Sequence, residues 1–115
     1  MFELDARLEA DTHFVAKTAL CRLLLMDDAR FPWLILVPEV AGISEPFDLS
    51  EADQTVLWRE SMRLSHFLKA HYHADKLNIA ALGNQVPQLH LHHIARYHSD
   101  VAWPAPVWGI GTPEP

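Results

Sequence analysis

Seven of the eight histidines lie between His66 and His98, and three crowd into one run, Gln88-Leu89-His90-Leu91-His92-His93-Ile94-Ala95-Arg96. Side chains of an extended strand alternate between its two faces. That alternation predicts Gln88, His90 and His92 on one face and Leu89, Leu91 and His93 on the other. A polar row backed by leucines is a costly way to build a core and a direct way to build a site. Imidazole serves as nucleophile, acid, base or metal ligand near neutral pH. His-x-His spacing therefore fits a reaction site or half of a metal site. A stable zinc site takes a third or fourth ligand. His98, Asp100 and His66 are the candidates, but no supporting motif surrounds them. Arg96 suits either an oxyanion or an acid across the sheet.

The flanking sequence must position this row. Residues 3–10 favour a short helix with an apolar stripe through Leu4. Residues 12–17 read as a short strand, and 20–26 as a buried one. Asp27-Asp28-Ala29-Arg30 reads as a turn, and Trp33-Leu34-Ile35-Leu36-Val37 as a second buried strand closed by Pro38. The two runs form an antiparallel pair. Residues 39–49 read as loop. Ser50 is placed to cap one long helix, with Asp53 three positions on as an acidic variant of the capping box. Its stripe of Val56, Leu57, Leu64, Phe67 and Leu68, widened by Trp58 and Met62, runs to about residue 73. His66, His71 and His73 on this helix read as solvated or end-associated. Residues 77–82 form another strand, broken at Gly83-Asn84, and the histidine strand follows from about 88 to 95. The order predicts an α+β fold: an antiparallel sheet with helices packed on it.

Length bounds the chain to one domain over residues 1–115, with an extended Pro/Trp-rich tail from about residue 100. A net charge of −6 argues against a nucleic-acid-binding surface, though not against a small anion in a local pocket. The single cysteine, Cys21, lies in an apolar run and fits a buried thiol in a reducing compartment. No apolar stretch approaches the roughly 20 residues of a membrane span, and Met1-Phe2-Glu3-Leu4-Asp5 lacks the pattern of a signal peptide, so a cytoplasmic protein is expected. Trp33, Trp103 and Trp108 are candidates for stacking on a base or for packing in the core or a dimer.

The segment Gly83-Asn84-Gln85-Val86-Pro87-Gln88-Leu89-His90-Leu91-His92-His93-Ile94-Ala95-Arg96 resembles the signature of the histidine triad (HIT) family, His-φ-His-φ-His-φ-φ with φ apolar. Gln88 stands where the first histidine would be, His90 is the middle one and His92 the third. His93 takes a position that is usually apolar. The resemblance extends to the layout of residues 20–96, with paired strands ending in Val37-Pro38, a loop, a long helix, and two strands with the motif last. The Trp103–Gly109 tail resembles extensions of some members more weakly.

The resemblance implies a nucleotide hydrolase or transferase that works without a catalytic metal or other cofactor, commonly as a homodimer, on phosphoramidates, dinucleoside polyphosphates or nucleotide-linked sugars. By position, His90 would attack the α-phosphorus and form a nucleotidyl-histidine, and His92 would contact phosphate or leaving group. Asn84 and Gln85 match the turn that approaches the phosphate. Asp27 or Asp28 falls near the acid that contacts ribose, and Leu25 and Asn78 would line the nucleoside pocket. The chemistry suits the spacing. A neutral imidazole attacks through one nitrogen if the other donates its proton to a fixed acceptor such as a backbone carbonyl. A group two residues on lies about 7 Å along a strand and can hold the same phosphate. Its charge would be met by His92, if protonated, with Asn84, Gln85 and backbone amides. Gln88 keeps hydrogen-bonding capacity but cannot carry a proton. The alternative expectations are a nucleotide-binding module weakened by Gln88, and a His-x-His metal site.

Overall fold

The computed structural model describes residues 1–115 as α1 (Ala6–Asp11), β1 (Thr12–Lys17), β2 (Cys21–Met26), β3 (Trp33–Pro38), α2 (Glu51–His71), β4 (Lys76–Ala80) and β5 (Leu91–Arg96). The strands form one antiparallel sheet in the order β1-β2-β3-β5-β4. This is the α+β architecture expected from the order of the elements. The chain order explains the centre of the sheet: β3 is apolar at every position, so it is buried on both faces.

Two apolar layers cover the sheet. On one face Cys21, Leu36, Leu57 and Leu89 join Ile43 and Leu49 beneath α2. On the other, Leu24, Trp33, Ile35, Val37 and Ile94 pack with Leu8 of α1, Phe31, and Ala102 and Val107 of the tail. The Ser50 hydroxyl accepts from the Asp53 amide at 3.1 Å, as the cap reading requires. Of the expected α2 stripe, Leu57 and Leu68 are buried, whereas Trp58 and Phe67 lie outward and exposed. Ser61 and Ser65 take inward positions instead.

Several boundaries move. The first helix begins at Ala6, where Asp5 caps it by accepting from the Arg7 amide, not at residue 3. α2 stops at His71, and His73 adopts a positive φ of 52° just beyond its end. A short 3-10 turn, Pro46–Asp48, sits inside the expected loop. The largest correction concerns the histidine run. β5 starts at Leu91, so Gln88, Leu89 and His90 precede the strand. The ladder with β3 ends at the Leu36–Leu91 pair, while the Leu89 amide bonds to the Ile43 carbonyl at 3.1 Å and draws the segment aside. The tail is also not extended. It folds back in turns between Asp100 and Gly111, held where Trp103 donates to the Asp100 carbonyl and Ala105 to that of Ala102.

Candidate active site

The sheet face opposite α2 carries a cavity of ≈ 360 Å³ between α1, the 82–86 loop, the start of β5 and the folded tail. His90 and His92 both line it, with Asn84 and Gln85 on the loop above them. Gly83 turns that loop at φ 80°, a backbone conformation that side chains bearing a Cβ seldom adopt. Arg7, Leu8, Asp11, Met26, Trp33, Leu82, Val86 and Trp108 complete the walls. The lining thus combines imidazoles, amides and two charged side chains with apolar and aromatic groups, and Trp33 and Trp108 lie against His92.

The two rings stand 4.8 Å apart, centroid to centroid, at 70°. Each has one nitrogen fixed by the protein, and in opposite senses. The Nδ1 of His90 lies 2.7 Å from the Gln88 carbonyl oxygen. A carbonyl only accepts, so Nδ1 holds the proton and Nε2 holds the lone pair. The Nε1–H of Trp33 donates to Nδ1 of His92 at 3.0 Å. Indole only donates, so this Nδ1 holds the lone pair and Nε2 carries the proton. Burial pushes the His92 pKa down to about 3, with the neighbouring His90 and His93 acting in the same direction. His92 is therefore a neutral N–H donor, so it meets a phosphate by a hydrogen bond and not as an imidazolium. Trp108 stacks edge-on against it at 5.0 Å and against Trp33 at 5.8 Å. The backbone-carbonyl acceptor that a nucleophilic imidazole needs is present, and it belongs to Gln88.

His93 points the other way, as alternation from His92 requires, and its Nε2 lies 2.7 Å from the Ser61 hydroxyl beneath α2. Burial pushes its pKa down to about 4. No group of three or more potential metal ligands occurs in the structure, so the metal alternative lacks a site there.

Other candidates from the sequence lie outside the cavity. Gln88 does not line it. Its Oε1 accepts from the Asp5 amide and its Nε2 donates to the Glu3 carbonyl, both at 2.8 Å. Arg96 is 1% exposed and fully engaged: it pairs with Asp100 at 2.8 Å and donates to Asn78 and to the Ala105 carbonyl. It clasps the tail, and Asn78 is spent on that clasp. The pairing pulls the Asp100 pKa down to about 2. Asp28 is taken up by a 2.8 Å ion pair with Arg30, whose guanidinium holds the carboxyl below its usual range. Asp27 faces His13 at 3.1 Å. Leu25 sits one residue out of phase: Leu24 packs on the cavity face, so its neighbour Leu25 turns to the other and Met26 lines the cavity instead. The α1 contributions, Arg7, Leu8 and Asp11, went unseen because nothing in the sequence says how a six-residue helix docks. Trp33 and Trp108 were visible as candidates for stacking or packing, but not the hydrogen bond that Trp33 donates.

Comparison with known proteins bears on the family and the fold. The model of the HIT domain family matches residues 7–99. A histidine triad protein from Marinobacter aquaeolei VT8 is 53% identical, with 100% of this chain and 84% of that chain covered and a TM-score of 0.99. A histidine triad protein from Bradyrhizobium japonicum is 48% identical over 97% of this chain and 84% of that chain, with a TM-score of 0.96. One from Sinorhizobium meliloti 1021 is 50% identical over 99% of this chain and 84% of that chain, with a TM-score of 0.97. No curated protein matches.

Proposed function

The chain belongs to the HIT domain family, and from that premise we propose that it is a nucleotide hydrolase or nucleotidyltransferase that acts at the α-phosphate through a covalent nucleotidyl-His90 intermediate. The observation that carries this reading is the opposed pair of tautomers. His90 has its lone pair on Nε2 and His92 has its proton on Nε2, side by side in one cavity. A nucleophile next to a hydrogen-bond donor is what displacement at phosphorus requires. In the first step a bond forms from His90 Nε2 to phosphorus while the bond to the leaving group breaks. In the second, water or another acceptor takes the nucleotidyl group and frees the ring. His92 Nε2–H, with Asn84 and Gln85, would stabilise the charge on the phosphoryl oxygens. The apolar part of the lining, with Leu8, Met26 and Trp33, suits a nucleoside.

The titratable residues that line the cavity are Arg7, Asp11, His90 and His92. A neutral His92 gives a hydrogen bond but no proton, so the leaving group must depart as an anion or take its proton from solvent. That favours phosphate-type leaving groups, as in dinucleoside polyphosphates, over the amine of a phosphoramidate. Association into a homodimer is part of the same reading, supported by the exposed Trp58 and Phe67 on α2 and by the open edge of β4. A cytoplasmic setting fits the free, buried Cys21. His90→Ala is expected to lower turnover of a dinucleoside polyphosphate by at least about a thousandfold while nucleotide affinity stays within a few fold. Turnover that survives this substitution refutes the proposal, and nucleotide binding without turnover in the wild type would favour a binding module instead.

A further inference from the structure

Gln88 holds the place of a triad histidine, yet its side chain turns out of the cavity and grips the N-terminal segment with both ends of its amide. We propose that Gln88 is a positioning residue for nucleotide binding, fixing α1 as a wall of the cavity, and that it has no part in proton transfer. This inference rests on the nucleotide reading of the site.

The chain of contacts is short. The Gln88 Oε1 takes the Asp5 N–H, and its Nε2–H goes to the Glu3 carbonyl. That pair of bonds, each 2.8 Å long, repeats the two-point pairing of one backbone with another, but across 83 and 85 residues of sequence. Asp5 is in turn the cap of α1, its carboxylate accepting the Arg7 amide at 2.8 Å. The helix so anchored presents Arg7, Leu8 and Asp11 to the cavity. A helix of six residues has no stability of its own and takes its place from its anchors. At the other end of the same residue, the Gln88 carbonyl holds the His90 Nδ1 proton. One residue thus ties the nucleophile by its backbone and the binding wall by its side chain. Only the second tie depends on the identity of the side chain. An amide is suited to it, because it offers one donor and one acceptor side by side at every pH.

The test is steady-state kinetics of Gln88→Ala, Gln88→Glu and Gln88→His on a dinucleoside polyphosphate, together with amide hydrogen exchange at Asp5. Gln88→Ala should raise KM about tenfold and leave kcat within about twofold, the pattern of lost binding rather than lost chemistry. Gln88→Glu keeps the acceptor for Asp5 but sets a carboxylate against the Glu3 carbonyl, so its KM should also rise. Gln88→His should raise KM without raising kcat. The Asp5 amide should exchange faster in Gln88→Ala. A kcat that falls in Gln88→Ala at constant KM, a kcat that rises in Gln88→His, or unchanged Asp5 exchange would each overturn the inference while leaving the nucleotide reading in place. A wild-type chain that neither binds nor turns over nucleotide would overturn that reading, and the inference with it.

Discussion

An imidazole is a different reagent according to which nitrogen holds its proton. In this chain two neighbours decide it: a carbonyl for His90 and an indole for His92. Trp33→Phe removes the indole N–H and keeps an aromatic ring in the core. His92 is then free to divide between tautomers, while burial still holds the ring neutral. At neutral pH kcat should fall about tenfold. Because burial keeps the ring neutral in both proteins, the loss should be of similar size across pH 5 to 8. Steady-state rates from pH 5 to 8 check this, and a kcat within about twofold of the wild type would contradict it. The histidines of the site were legible in the sequence because their spacing and types are unusual. The role of Trp33 was not, since a hydrogen bond across 59 residues depends on a register between β3 and β5 that no local pattern encodes. Leu25 shows the same limit. Both faces of β2 are apolar, so its phase could not be read, and Met26 lines the cavity in its place.

At the level of elements, the long helix, the paired strands and the loops announced themselves through period, caps and prolines. The ends did not, and the start of β5 moved three residues because Leu89 bonds to the Ile43 carbonyl instead of to a strand partner. The tail misled more. Its prolines suggested an extended segment, but Arg96 and Asp100 fold it onto the sheet. Asp100 also accepts from the amides of Tyr97, Ala102 and Trp103, so one carboxylate organises the whole turn. Removing one member of a buried ion pair leaves the other without its counter-charge, at a cost of about 3–5 kcal/mol. Arg96→Ala should therefore destabilise the protein by that amount in urea unfolding. It should also raise KM, since Trp108 would lose its place beside His92. A loss under about 1 kcal/mol would show that the clasp does not hold the tail.

The molecule as a whole buries two neutral histidines back to back, His92 toward the cavity and His93 toward α2. In the unfolded chain both take up protons as pH falls through the usual 6.5, but in the folded chain only near 3 and 4. Unfolding therefore binds protons in that interval, and stability present above pH 6.5 is lost as pH falls below it. The urea midpoint should drop between pH 7.5 and pH 5, before the depressed carboxylates Asp28 and Asp100 begin to contribute near their ordinary 3.8. An unchanged midpoint would mean that these rings accept protons in the folded state.

The reading of the cavity turns on whether the nucleotide becomes bonded to the protein. Acid-free quenching during turnover of a dinucleoside polyphosphate, followed by proteolysis and mass spectrometry, measures that directly. One nucleoside monophosphate attached to the peptide that carries His90, absent from His90→Ala, is the expected result. Turnover at the wild-type rate with no adduct on that peptide would contradict it.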